Sequence, residues 1–437
     1  MSGSGTRPGR RARPWPGRAA LGLVMAGLAL LSGGCWDRVE VNDLALVEGV
    51  ALDRAGPDRL RLTVSMSVPS RVRTPGSFGG PGTGLPSSAA MAGEGRTVVE
   101  AIDAVQRQLG RRLFWGHTEA ILLGEDLARS GLGPVLDYFS RHPEPRLRTF
   151  VAVVPGRAAD VLGTLATIEP ATATAIRKMA ALRPELMTTL RDFLAQLLAE
   201  DQEPVLPVVA LAPRGAPQPG TLETPPGQSA MPPPAQQQNP LRPVLAGTAV
   251  FKADRLVGLL DAEETRGLLW VRGEPIDAAT TVALGEPGRY VSFRITRSGT
   301  RITPRFQDDL PVMEVRVFSQ HDLIEDTAGL DMDDTRVVTL IQRALARTIE
   351  SSIRRAAVRV QTELRSDVFG FGAAIRRQDP RRWKALRRSW DRLFPQVPMD
   401  LRVEALMRRG GLSSRPLSRP RPELLPRSEL ERLLEGP

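Results

Sequence analysis

Between Pro213 and Pro243 the chain loses the means to build a core. This stretch holds Pro225-Pro226, Pro232-Pro233-Pro234 and Gln236-Gln237-Gln238, with few apolar side chains. Proline removes a backbone donor, and so little apolar surface cannot offset the entropy of ordering the segment. A chain of 437 residues is also too long for one small core. The sequence therefore predicts a signal segment over 1–34 and an N-terminal body over 35–211, with room for two subdomains. A Pro/Gln-rich linker over 212–244, a C-terminal body over 245–411 and a mobile basic tail over 412–437 complete the expected order.

Periodicity assigns elements on both sides of the linker. The apolar run Leu44–Leu52 reads as a buried strand. Alternation of Leu60, Leu62, Val64, Met66 and Val68 with polar residues reads as a second strand, paired to the first as a hairpin. Pro69 to Gly95 is rich in Gly, Pro and Ser and reads as a loop. Val98, Ile102, Val105 and Leu109 recur at helical steps. Further strands are expected at Thr149–Val154 and Val205–Leu211, with a helical stretch over 173–200 broken near Pro184.

After the linker, Leu245–Phe251 and Arg255–Leu260 form an expected hairpin, and Asp261 caps a helix that follows. Three strands are expected at Tyr290–Thr296, Arg301–Phe306 and Val312–Phe318, the first two separated by a turn at Ser298-Gly299. From Asp334 to Leu364, Val337, Ile341, Leu345, Ile349, Ile353 and Val360 share one half of a helical wheel, and arginines take the other. Pro380–Phe394 is read as one helix and Met399–Met407 as a closing strand. The fold class expected is α+β, a multi-domain body of mixed β-sheets packed with helices.

Cys35 is the only cysteine, which excludes internal disulfides and paired-cysteine metal or redox sites. It follows an arginine-rich start without acidic residues, the short apolar run Ala19–Leu31, and Gly33-Gly34. That run suits a signal peptide and is shorter than the roughly 20 residues of a spanning helix. Cys35 is thus the candidate lipidation site of a lipoprotein. Leu31 lies one residue further back than the usual lipobox leucine, whose place Ser32 takes. The net charge is +10. It is concentrated from Arg336 onward, where 23 basic residues face 11 acidic ones. For an exported protein such charge favours anionic lipid or an acidic partner over nucleic acid.

No constellation for catalysis stands out. Gly79–Gly84 lacks the Lys-Ser/Thr ending of a phosphate loop. His117, His142 and His321 have no partners at ligand spacing. Asp331-Met332-Asp333-Asp334 lacks the glycine and terminal glutamate of a calcium loop and suits a helix N-cap instead. We expect no cofactor, no metal and no enzymatic activity.

Several stretches together resemble the Ger(x)C family of spore germination lipoproteins, the C subunits of nutrient germinant receptors. They include Gly34-Cys35-Trp36-Asp37-Arg38-x-Glu40, Arg111-Arg112-Leu113-Phe114-x-Gly116-His117 and Arg141-x-Pro143-Glu144-x-Arg146. In the second half they include Glu264-Thr265-Arg266-Gly267-Leu268-Leu269-Trp270, Asp367-x-Phe369-Gly370-Phe371-Gly372 and Trp390-Asp391-x-Leu393-Phe394-Pro395. The resemblance implies a Ger(x)C-type α+β fold and a palmitate-bearing diacylglycerol-cysteine anchor on the outer face of the spore inner membrane. It also implies assembly with the A and B membrane subunits. It carries no catalytic residue. Trp36, Asp37, Arg38, Glu264 and Arg266 are candidate partner contacts or structural ion pairs. Two rivals are a solute-binding lipoprotein of a transporter and a cell-wall hydrolase.

Overall fold

The computed structural model describes residues 40–67, 88–164, 169, 171–213, 241–274, 279–284, 288–308 and 310–409. The chain divides into a unit ending at Leu44 and a second that starts at Ala45. In the first, the described part is the short 3-10 turn Val41–Asp43.

The second unit contains two sheets. Strands β1 (Leu44–Gly56), β2 (Arg59–Ser67), β3 (Ser88–Gly95), β4 (Arg112–Phe114), β5 (Ala120–Gly124), β6 (Phe150–Val154), β7 (Val205–Pro213), β8 (Leu241–Lys252) and β9 (Arg255–Leu260) make the larger one. Its order is β3-β2-β1-β5-β6-β7-β8-β9, with β4 beside β1. The centre, β1-β5-β6-β7, is parallel, and both flanks are antiparallel. Parallel strands need crossovers and cover on both faces, and the helices supply it. They are α1 (Val98–Gln106), α2 (Glu125–Ser130), α3 (Gly133–Arg141), α4 (Ala158–Leu162), α5 (Thr172–Ala181) and α6 (Leu190–Leu197). One face carries a core of Val50, Leu62, Val105, Phe139 and Phe193. The other carries Ala51, Phe150, Val161 and Ile176.

The second sheet runs β10 (Ala279–Ala283), β11 (Tyr290–Gln307), β12 (Leu310–Asp326) and β13 (Met399–Arg409). Helices α7 (Ala262–Arg272) and α8 (Thr335–Ala357) share its core with α9 (Phe371–Gln378), α10 (Pro380–Leu386) and α11 (Trp390–Leu393). Helix α8 buries Val337, Leu340, Ile341, Leu345, Ile349 and Ile353, and continues as a π-turn to Leu364. Asp334 caps it by accepting from Arg336 N. The mixed sheets and packed helices are the α+β architecture expected from sequence.

Strands β7 and β8 lie on either side of residues 214–240 and pair with each other, Pro213 opposite Leu241. The hairpin β8–β9 thus extends the sheet begun by the first half of the chain.

Three local expectations need correction. The glycine- and serine-rich region expected as a loop to Gly95 contains β3, paired in register with β2 from Ser88 to Gly95; its residues 69–87 lie outside the described part. The expected turn at Ser298-Gly299 is absent. β11 runs through it as one strand, Gly299 facing Phe318, with the register shifts of the ladder lying earlier, at Ser292/Phe293 and Ile295/Arg297. A continuous ladder to the long β12 outweighs the local turn preference. The expected helix Pro380–Phe394 is two short helices and a 3-10 turn. The break at Ser389 turns Trp390 toward the buried side chains described below.

Helices α7 and α8 touch at Gly267, where an added Cβ would run into the Ser352 carbonyl oxygen. A methyl group forced into such a contact typically costs about 1–3 kcal/mol. Gly267→Ala should lower the free energy of unfolding by an amount in that range, read as a lower urea midpoint at unchanged m-value, and an unchanged midpoint would contradict the packing.

Candidate functional site

The residues matched to the family motifs converge unevenly. Cys35, Trp36, Asp37 and Arg38 lie outside the described residues. Glu264 and Arg266 stand on the first turns of α7. Glu264 completes a capping box: its carboxylate accepts from Asp261 N at 3.0 Å, while Asp261 Oδ1 accepts from Glu263 N and Glu264 N at 2.8 Å. Such reciprocal bonds use up free amides of the first turn. Arg266 is half-buried, between the buried Thr265 and Gly267.

The strongest convergence is around Asp367. Its side chain accepts from Gly370 N and Phe371 N at 3.0 Å through Oδ1. Oδ2 accepts from Gly372 N at 2.8 Å and from Trp390 Nε1 at 2.9 Å. Gly370 adopts φ +77, a left-handed conformation that costs glycine little. This lets three consecutive amides point at one carboxylate. Aromatic rings seal the group: Trp390 packs edge-on to Trp383 at 5.6 Å, and Phe371 lies 5.3 Å from Phe369 and 6.0 Å from Phe394. The backbone of Asp367 reaches the first half of the chain, where its carbonyl accepts from Glu203 N at 3.0 Å. Ser366 donates to Phe251 O at 2.5 Å, and Glu203 Oε2 accepts from Ala253 N at 2.7 Å.

Burial raises the Asp367 pKa to about 6, against the four donors that favour its ionised form. At neutral pH it is a carboxylate, and none of its partners is a formal cation.

A second pair of motifs meets at Glu144, whose carboxylate accepts from Arg112 Nη2 at 2.9 Å and from Trp115 N at 3.3 Å. His117 is exposed on the 3-10 turn Trp115–His117, 5.9 Å from the Phe114 ring. His142 stacks on Tyr138. His321 is fully buried in β12 against Ser319, with Nε2 2.9 Å from the hydroxyl, and burial lowers its pKa to about 4. These three histidines sit apart, and among the described residues no group of three His, Cys, Asp or Glu could hold a metal ion.

Sequence reasoning treated Asp367 only as part of a motif and passed over Asp53 and Glu314. Asp53 is buried and accepts from Ala158 N at 2.7 Å and Ala159 N at 3.0 Å at the start of α4. Glu314, on β12, pairs with Arg305 and Arg316. The partners of Asp53 lie more than 100 residues along the chain, and Glu314 takes Arg316 from its own strand but Arg305 from the neighbouring one.

Two buried groups make stability depend on pH in opposite senses. The raised pKa of Asp367 contributes stability that is full below about pH 4 and is lost as pH rises through about 6. The lowered pKa of His321 contributes stability that is full above pH 6.5 and is lost as pH falls toward about 4. Urea titrations from pH 4 to 7 should show Asp367→Asn removing the first dependence and His321→Gln the second. Trp390→Phe deletes one donor to a buried carboxylate and should cost about 1–3 kcal/mol at pH 7. Curves that superpose on wild type would contradict these assignments.

The chain has relatives. A model of the spore germination protein N-terminal domain matches residues 37–211. A model described as spore germination B3/GerAC-like, C-terminal, matches residues 246–411. The chain is 26% identical to spore germination protein KC of Bacillus subtilis (strain 168) over 415 residues, covering 92% of this chain and 98% of that protein. It is 25% identical to the putative spore germination protein YfkR of the same organism, covering 90% and 96%. Spore germination protein B3 is 23% identical, covering 86% and 93%. The crystal structure of the GerBC protein shares the fold, with a TM-score of 0.52 and 19% identity, covering 84% of this chain and 100% of that one. Both halves match germination-protein models in order and across most of the chain: it belongs to the Ger(x)C family of spore germination proteins.

Proposed function

We propose that this protein is the lipid-anchored C subunit of a spore nutrient germinant receptor, working without catalysis beside membrane-embedded A and B subunits. The observation that carries the reading is the tandem match to germination-protein models over 37–211 and 246–411. Cys35 stands just before that match, behind an apolar run too short to span a bilayer. Among the described residues no helix is long and apolar enough to cross a membrane, so the reading places the hold on the membrane at Cys35. A cysteine-linked lipid contributes about 0.8 kcal/mol per buried CH₂, and stable anchoring takes more than one chain.

Trp36, Asp37 and Arg38, next to the anchor, are proposed to face the membrane subunits. Arg266 is the better partner contact of the α7 pair, since Glu264 is already engaged in the cap. Family membership gives no support to transport of a solute or hydrolysis of the wall as the protein's role.

Deleting the gene should abolish the response of spores to at least one nutrient germinant while leaving germination by a receptor-independent stimulus intact. Unchanged responses to every nutrient would overturn the reading. Cys35→Ala should abolish palmitate labelling and move the protein from the membrane to the soluble fraction. A variant that stays membrane-bound would shift the anchor elsewhere.

A further inference from the structure

Opposite its buried stripe, helix α8 exposes Arg343, Arg347, Arg354 and Arg355. A shallow groove of about 460 Å³ on this face is lined by Arg347, Glu350, Ser351, Arg354, Arg355 and Val358. Val358, 58% exposed, is the one apolar side chain of that lining. At 100° per residue Arg354 and Arg355 fall on either side of it. Arg354 Nη2 holds Glu350 Oε1 at 2.6 Å, and Arg355 Nη1 holds Glu263 Oε2 at 2.6 Å. Exposed pairs of this kind contribute little, and a guanidinium has five donors, so each arginine can take a further carboxylate. The four arginines outnumber Glu263 and Glu350, and the face stays positive.

The chain carries a match for this face in its own tail. The match to the germination-protein model ends at residue 411, and residues 410–437 lie outside the described part. Residues 428–435 read Ser-Glu-Leu-Glu-Arg-Leu-Leu-Glu, three acids against one base. Ser428-x-x-Glu431 has the spacing of a capping box. Leu430, Leu433 and Leu434 recur at helical steps; Glu429 flanks them on one side of the wheel, Glu431 and Glu435 on the other. Reach is sufficient. β13 runs parallel to β12, with Arg409 beside Asp322. Gln361 donates to Phe394 O and Val397 O, so the far end of α8 lies where β13 begins. β13 therefore ends toward the first turn of α8. From that turn to Ser351 is about 24 Å along the helix axis, and residues 410–427 span at most about 60 Å.

We propose that residues 428–435 of the same chain dock on this groove. Their leucines lie against Val358 and the arginine stems, and their glutamates bond Arg354 and Arg355. Arginine stems offer apolar surface beside a charged head, and guanidinium–carboxylate bonds are charge-assisted, stronger than neutral ones. An amphipathic helix in a groove is held through anchors at i, i+3 and i+4, which is the spacing of the three leucines. Tethering raises the concentration of the tail at the groove, so contacts too weak to hold a free peptide hold an attached one. The docked tail covers the basic face of α8 and competes for it with any other anionic partner. The proposal does not depend on the receptor-subunit role: docking is read on purified protein, and loss of that role is read on spores.

Disulfide trapping in the full chain, purified in detergent and oxidised with copper-phenanthroline, tests it. Val358→Cys with Leu433→Cys should close a bond within one chain, read by mass spectrometry of the linked peptides. The two single variants report any bond made through Cys35. Thr339 is exposed near the start of α8, and Thr339→Cys with Leu433→Cys should close at least about tenfold more slowly. Arg354→Glu with Arg355→Glu should slow the Val358 pair at least about tenfold, and adding Glu431→Arg with Glu435→Arg should restore its rate. Equal rates for the Val358 and Thr339 pairs, or a rate indifferent to charge reversal, would overturn the proposal. So would the lack of a bond within one chain, whatever takes its place. A bond only between chains assigns the groove to a second copy, and binding to phosphatidylglycerol vesicles that Arg354→Glu abolishes assigns it to lipid. Should the charge variants fail to fold, the comparison of the Val358 and Thr339 pairs decides alone.

Discussion

Asp367 fixes three stretches of chain at once, two through its carboxylate and one through its backbone carbonyl. Its four donors come from the turn Gly370–Gly372 and from Trp390, and its backbone carbonyl holds Glu203. A buried anion is tolerable only when its acceptor sites are filled, so this turn and this indole have little freedom to be elsewhere. Helix α9 starts from that turn, Trp390 sets the direction of α11, and the aromatic cluster follows both. Through Glu203 and Ser366 the same knot grips the hairpin β8–β9. The register of the larger sheet and the packing of the smaller one are thereby linked, beside the core that β7, β8 and β9 share with the smaller sheet.

Local periodicity revealed the elements whose stability is mostly their own. Helix α8 has an apolar half-wheel and an Asp cap, and it forms where the sequence puts it. The hairpin at Lys252-Ala253-Asp254 forms too, with Ala253 at φ +52. Elements decided by a distant partner were not legible. β3 is made of Ser88, alanines, glycines, Met91 and Glu94, a composition that reads as a loop. It is a strand because β2 offers a ladder and because the bare Gly93 lets α1 lie against it. Ser298-Gly299 reads as a turn and is mid-strand because β12 is long enough to pair across it.

The site divides in the same way. The motif around Asp367 was visible as a pattern of residue types, but what it does was not, since Trp390 is more than one helix away in sequence. Glu264, a candidate for a partner contact or a structural ion pair, is engaged in its own helix cap, which the Asp261/Glu264 spacing already permitted. Glu185 and Arg272 carried no signal at all. Each keeps one buried side-chain atom without a hydrogen-bond partner after folding, Glu185 Oε2 and Arg272 Nη1, and a sequence cannot display that.

The pairing of Pro213 with Leu241 has a consequence for how freely this protein can change length. Whatever departs after Pro213 returns one strand spacing away, so the fold does not measure the distance travelled in between. Closing a loop twice as long costs only about 0.6 kcal/mol more. Insertions and deletions between these two residues are nearly invisible to the sheet, and a reporter domain spliced there would ride on it without parting β7 from β8.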